Sequence, residues 1–179
     1  MMKSITYQKL RQDEIGLDLL GSFNRYQEVK RCWRKDGNQW ILKDISFTED
    51  WNSKKKYAVA IGLQECIEKN GFVFGAFIDS KLIGFSSLAS DFFGINSEYL
   101  EMQMIHVSSE YRGKGIGKKL FELIVDSAKS LGARKLYISA QSSEESQALY
   151  KAVGCVEAKE INQTIAENEP YDCQLEYVL

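Results

Sequence analysis

The chain has 179 residues, 44% hydrophobic and 27% charged, with a formal net charge of −2. That length and balance describe one globular unit over residues 1–179 that buries its own core. They speak against a general nucleic-acid binder, which carries a basic surplus.

No apolar run approaches the roughly 20 residues that cross a bilayer. The N-terminal MMKSITYQKL also lacks the apolar centre of a signal peptide. The expected setting is cytoplasmic, with neither membrane nor nucleic acid as partner. Residues 4–10, SITYQKL, read as a first strand, and roughly 12–33 read as helix. Residues 34–56 carry Trp40, Phe47 and Trp51 without a clear period and read as a long loop. Val59, Leu63, Cys66 and Ile67 then recur at helical spacing, and Asn70-Gly71 ends that helix.

GFVFGAFID and LIGFSSLAS flank a Ser80-Lys81 turn and predict an antiparallel hairpin. A further strand over 98–107 runs directly into YRGKGIGKKL, residues 111–120. Ile116, Leu120, Leu123, Ile124, Ala128 and Leu131 keep helical period up to a stop at Gly132. RKLYISA is another strand, and Ser142 with Glu145 predicts a capping box for a helix closing at Gly154. CVEAKEI and CQLEYVL add two last strands, which makes seven. The expected fold is therefore α/β of the α+β type: a mixed, mostly antiparallel sheet in which a βαβ unit around the glycine segment supplies one parallel pair.

Cys32, Cys66, Cys155 and Cys173 are scattered, form no C-x-x-C pair, and accompany a single histidine. Neither a metal site nor a disulfide framework is expected; the thiols read as reduced and buried.

The glycine segment invites comparison with known phosphate loops. A Walker A loop ending at Gly117-Lys118 needs glycine where Arg112 stands and Ser or Thr where Lys119 stands. A dinucleotide fingerprint starting at Gly113 needs glycine where Lys118 stands. What remains is Arg-x-x-Gly-x-Gly over Arg112, Gly115 and Gly117, between a strand and a helix. Glycines admit a ligand close to the backbone, and first-turn N–H groups lack intrahelical partners. The helix dipole, Arg112, Lys114 and Lys118 all favour an anion there. The plainer alternative is a glycine-rich helix start with solvated lysines.

Three pieces, MIHVSSEYRGKGIGKKL, GARKLYISA and SQALYKAVGC, taken in this order and spacing, resemble the GNAT superfamily of N-acetyltransferases. The likeness covers about residues 71–179 and implies an acetyl-CoA-binding core there, with residues 1–70 on the acceptor side. It implies helices on both faces of the sheet and a splayed parallel pair, the strand ending at Val107 and the strand 134–140, admitting pantetheine. Ile105 and Val107 would pair with the pantetheine amides through their backbones. Arg112, Gly113, Lys114, Gly115, Ile116, Gly117 and Lys118 would form the pyrophosphate loop. Ser143 stands where many relatives carry a cofactor-contacting asparagine.

The same resemblance implies acetyl transfer from acetyl-CoA to a primary amine of a small molecule or peptide, by direct attack in a ternary complex and without a metal. Tyr150, at the family's tyrosine position seven residues after Ser143, would be the acid for the leaving thiolate, and the Val107 N–H the oxyanion donor. For the base, strand alternation puts Glu101, Gln103, Ile105 and Val107 on one side, and Glu101 could accept the proton. A bulge near residue 105 would bring His106 in instead. A packed tyrosine, a solvated glutamate and a packed histidine are the plain alternatives. Other readings are a noncatalytic acyl-CoA-binding sensor on the same scaffold, and a nucleotide-phosphate site without CoA. Asp91, Glu98 and Glu101 hint at a cationic acceptor, the 34–56 segment at an acceptor wall, and an edge strand 171–178 at a homodimer.

Overall fold

The computed structural model describes residues 3–179; Met1 and Met2, counted above in the acceptor-side region, lie outside the described residues. The first half holds β1 (Thr6–Lys9), β2 (Gln27–Asp36), β3 (Gln39–Glu49), α1 (Ser53–Glu68), β4 (Phe72–Ile78), β5 (Lys81–Leu88) and β6 (Tyr99–Val107). Then come α2 (Ile116–Ser130), β7 (Lys135–Ala140), α3 (Glu144–Val153), β8 (Val156–Glu157), α4 (Gln163–Asn168) and β9 (Cys173–Val178).

Seven strands form one sheet in the order β1-β4-β5-β6-β7-β9-β8, and β2-β3 stand apart as a hairpin. Every pairing in the large sheet is antiparallel except β6 with β7. The mixed, mostly antiparallel sheet expected from the sequence is the one observed. On one face α2 buries Ile116, Leu120, Ile124 and Ala128, one helical stripe, against Ile83, Leu100, Met102 and Leu136. On the other, α1 buries Val59, Ala60, Leu63 and Cys66 against Val73, Leu82 and Phe85. Helix α1 starts where the Asn52 side chain accepts from the Lys55 N–H, and ends as Gly71 N–H reaches the Cys66 carbonyl at 2.7 Å.

Several local expectations need correction. Residues 12–33 are not a helix: only a single turn at Gln12–Glu14 is helical, and β2 begins at Gln27. The 34–56 loop is mostly β3 and the start of α1. Asp36 pairs with Gln39 across Gly37-Asn38, with Gly37 at φ +61°, a two-residue turn of the kind that closes hairpins. The β4–β5 turn is Asp79-Ser80, at φ +47° and +66°, because Lys81 already pairs with Ile78. Helix α3 is capped by Ser143, whose hydroxyl accepts from Ser146 N–H, one residue later than the expected Ser142. CVEAKEI keeps only two strand residues, and α4 follows unannounced. Strand β9 is flanked by β7 and β8, so 171–178 is not the free edge on which a dimer was expected; β1 and β8 are the edges.

A partly buried ion cluster pins the closed end of the parallel pair. The Tyr99 hydroxyl donates to Glu176 at 2.5 Å, and the Lys135 ammonium lies 3.4 Å from Glu98 and 3.7 Å from Glu176.

Candidate active site

Strands β6 and β7 pair only at Tyr99–Lys135, Leu100–Leu136 and Glu101–Tyr137. Beyond that, β6 follows β5 to Val107 while β7 follows β9 to Ala140, so the two diverge. The parting begins at a bulge. Leu88 faces Met102 and Ser87 faces Met104, which leaves Gln103 as an extra residue on β6.

That bulge resets which side chains share a face, and corrects the simple alternation expected from the sequence. Leu100, Met102, Ile105 and Val107 pack on the α2 side. Met104 packs with the α1 cluster, and His106 meets Trp51 and Phe85 there. Glu101 and Gln103 border the cavity on the α1 side. Ile105 and Val107 are thus separated from Glu101.

The backbone of β6 also has a direction. Ser108 N–H donates to the Ile83 carbonyl at 2.8 Å, so antiparallel alternation makes Val107–Gly84 and Ile105–Ser86 the non-bonded pairs. The N–H and C=O groups of Ile105 and Val107 point away from β5, into the gap left by β7. The Val107 carbonyl is taken by the Arg112 Nε at 3.0 Å; its N–H stays available.

At the end of β6 the chain turns into α2. Gly113 and Gly115 hold φ +76° and +81°, left-handed values that glycine adopts without strain. Among the described residues, the N–H groups of residues 113–118 meet no acceptor; the first helical bond runs from Lys119 N–H to the Gly115 carbonyl at 3.1 Å. Six successive amides at a helix start, with no acidic residue in its first turn, form a ready anion site. Ile116 contributes only its amide, since its side chain is core. The Arg112 guanidinium is turned inward, its Nη1 donating to the Tyr26 carbonyl at 2.8 Å. Lys114 lies 5.3 Å from the Tyr111 ring centre, and Lys118 borders the cleft behind the loop.

That cleft runs between Ile105, Gly117 and Phe121 on one side and Leu149, Tyr150 and Val153 of α3 on the other. The Tyr150 hydroxyl has no hydrogen-bond partner among the described residues. Burial raises its pKa above the ordinary tyrosine value, as do Cys155 and Asp172, while Arg25 draws it down. A protonated phenol at neutral pH can donate a proton.

A cavity of about 380 Å³ opens on the α1 side of the sheet, bounded by α1, the bulged part of β6, α4 and the residues leading into β9. Four carboxylates line it: Glu65, Glu101, Glu169 and Asp172. Burial pushes Glu101 above the usual carboxylate range. Asp172 is pushed up to about 6 by burial, held back by the Ser139 hydroxyl that donates to it at 3.0 Å, and raised again by Glu169 and Glu49.

Residues 29–165 match the sequence pattern of the Acetyltransferase (GNAT) family. The chain belongs to the GNAT acetyltransferases. No curated protein matches it. Among solved structures, nourseothricin acetyltransferase superposes with a TM-score of 0.67 at 15% identity, covering 96% of this chain and 95% of that one. A Bacillus anthracis (strain Ames) protein described as a streptothricin acetyltransferase, in complex with acetyl coenzyme A, gives 0.70 at 17% identity over 99% and 97%. PaiA N-acetyltransferase of Thermoplasma acidophilum, with coenzyme A, gives 0.61 at 16% identity over 98% and 99%. At these identities the likeness is one of fold.

Within this GNAT member two expected side chains turn out to be enclosed. Ser143 is fully buried; its hydroxyl caps α3 and its backbone bridges to Cys32 of β2, so it does not line the cleft. The β2–β3 hairpin seals it in, with Trp33 N–H on the Ser142 carbonyl and Arg31 doubly bonded to Glu144 at 2.9 and 2.6 Å. His106 is wedged 4.9 Å from the Trp51 ring and 5.4 Å from Phe85. Burial and the nearby charges of Arg25, Arg112 and Lys55 hold it down at about 3.

Other expected contributors stand away from the cavity. Glu98 pairs with Lys135, Asp91 sits exposed in the loop before β6, and no residue of 34–56 borders the cavity. Asp172, Glu169, Ser139 and Arg25 were not singled out from the sequence. Arg25 is 7% exposed, bonded to Glu49 and Gln27 at 2.8 Å each and 5.7 Å from the Trp51 ring.

Proposed function

We propose that this acetyltransferase moves the acetyl group of acetyl-CoA to a primary amine of a small molecule or peptide, by direct attack in a ternary complex. The observation that carries the reading is the run of six free amides, 113–118, at the open end of the β6–β7 splay. A diphosphate held there would let pantetheine follow the unpaired backbone of Ile105 and Val107 toward Tyr150. The residues present fit the cofactor: anion donors, an open strand edge and a narrow apolar cleft succeed one another.

The thioester end would lie where the splay joins the acidic cavity. A lysine-like amine titrates at about 10.4 in water, so it reaches the site as an ammonium and must lose a proton. Glu101, facing the cavity with a raised pKa, accepts it directly or through water. His106, held near 3 and packed between rings, is the weaker acceptor. The Val107 N–H stabilises the tetrahedral oxyanion, and Tyr150 returns a proton to the departing thiolate. The four free, buried cysteines agree with a reducing, cytoplasmic setting.

Incubation with acetyl-CoA and a mixed primary-amine library, read by thiol release and product mass, tests this. Acetylated amine with stoichiometric CoA release is expected. CoA binding without transfer to any amine would return the noncatalytic sensor, and preference for ATP over CoA would remove both.

A further inference from the structure

Resting on the acetyltransferase reading, with Tyr150 as its acid, we propose that Arg25 is a positioning residue whose buried guanidinium stabilises the phenolate left when Tyr150 protonates the departing thiolate. Both chain neighbours of Arg25 are tied to the end of β6. Asn24 N–H donates to the Ser108 hydroxyl at 2.9 Å, and Ser109 N–H donates to the Asn24 carbonyl at 2.8 Å. The Tyr26 carbonyl is held by Arg112 at 2.8 Å. The guanidinium then lies 5.7 Å from the centre of the Trp51 ring, which meets His106 at 4.9 Å. His106 adjoins Ile105, and Ile105 shares the narrow cleft with Tyr150. A cation is thus fixed beside the strand end toward which the thioester would be aimed.

Two nitrogens of Arg25 are engaged: Nη1 donates to Gln27 and Nη2 to Glu49, at 2.8 Å each. The third, Nε, is buried and has no partner among the described residues. An unpaired N–H on a buried charge costs stability, so its presence calls for a partner that forms and vanishes. A phenolate in the cleft is such a partner. Burial raises Tyr150 above its ordinary value, Cys155 and Asp172 add to this, and Arg25 draws it down. The influence is mutual: burial lowers Arg25, while Glu49 and Tyr150 raise it. An ordinary phenol titrates at about 10 and an alkyl thiol such as that of cysteine at about 8.5. Proton transfer from Tyr150 to the thiolate therefore runs uphill, and a nearby cation makes it less so. The Tyr150 O–H bond breaks as the S–H bond of CoA forms, and the negative charge passes from sulfur to the phenol oxygen. Arg25 stays protonated throughout, and the phenolate regains its proton from water once the thiol has left.

The test is a double-mutant cycle of Arg25→Gln and Tyr150→Phe, read as thiol release from acetyl-CoA with the mixed primary-amine library. Arg25→Gln should slow turnover about tenfold, the effect of one unit of phenol acidity, with little change in calorimetric CoA affinity. Added to Tyr150→Phe, the same change should slow turnover less than about twofold, because no phenolate forms. Arg25→Lys keeps the charge and should stay within about threefold of the parent. Glu49→Gln leaves Arg25 in place, keeps an acceptor for Nη2 and deletes the opposing charge. It should raise turnover about twofold even as the melting temperature falls, a sign that a merely structural ion pair would not give. Equal losses with and without the Tyr150 hydroxyl, a loss in Arg25→Lys as large as in Arg25→Gln, or slower turnover in Glu49→Gln overturns the inference. Parental turnover in Tyr150→Phe removes the acid and this inference with it, while acetyl transfer itself stands. No acetylated amine from any variant or the parent removes the acetyltransferase reading as well.

Discussion

Arg112 donates from Nε to the Val107 carbonyl at 3.0 Å, folding the loop back onto the last residue of β6. The same guanidinium reaches the Tyr26 carbonyl, and Ser109 N–H reaches Asn24 at 2.8 Å, so the acceptor-side segment 24–26 is fastened to the loop. Two of the guanidinium's donors are therefore spent on bracing the loop. Arg112→Ala should weaken acetyl-CoA binding about tenfold, since the loop gives up two charge-assisted hydrogen bonds. Arg112→Lys should not restore it, because one ammonium cannot serve both carbonyls in that forked geometry. Calorimetric affinities for CoA decide it; parental values in either variant would leave the brace without a function.

Two glycines of the same loop should fail in different ways. A Cβ on Gly115 meets nothing within 4 Å, but the residue holds φ +81°. Gly115→Ala should thus cost about 1 kcal/mol of stability from backbone conformation alone. Gly117 has no such backbone constraint, and its Cβ would make an ordinary 3.7 Å contact with Val107. Gly117→Ala should melt with the parent, yet bind CoA less well because its methyl group stands in the cleft beside Ile105 and Tyr150. Thermal melts with and without CoA separate the two effects.

Why some of this was legible and some was not follows from the range of the signals. The β4–β5 hairpin, α2 and the glycine loop are written in local terms: apolar period, turn residues, positive-φ glycines. The β2–β3 hairpin carried a comparable signal in Gly37-Asn38, but its strands are crowded with charges such as Arg31 and Lys35. Those charges pair with Glu144 and Glu157, far away in sequence, and so hid the alternation. The face shared by Glu101 and Met104 depends on one bulged residue, Gln103, which lies two residues before the position near 105 where a shift was expected. Asp172 reaches the cavity only because β9 pairs with β7 and Ser139 fixes its carboxylate. No local pattern could announce it.

Tyr150 should be tested where binding and chemistry separate. Burial keeps its phenol protonated at neutral pH, and the hydroxyl has no other partner to satisfy, so Tyr150→Phe removes a proton donor and little packing. Turnover should fall about a hundredfold, within the range for a lost general acid, with little change in affinity for acetyl-CoA. Equal turnover in mutant and parent would take Tyr150 out of the mechanism.

Asp172 gives the stability of the protein a pH dependence of definite sign. Its carboxyl is pushed up to about 6 in the folded chain, chiefly by burial, against about 3.9 when unfolded. The folded state therefore holds this proton more tightly than the unfolded state. The resulting stabilisation is fully present below about pH 4 and is lost as pH rises through about 6. Asp172→Asn keeps an acceptor for the Ser139 hydroxyl while deleting the charge, so it should leave stability nearly unchanged below pH 4 and raise it at pH 7. Melting temperatures of mutant and parent across this window measure the difference directly. A gap that stays constant with pH would mean that the Asp172 carboxylate is no harder to ionise in the cavity than in water.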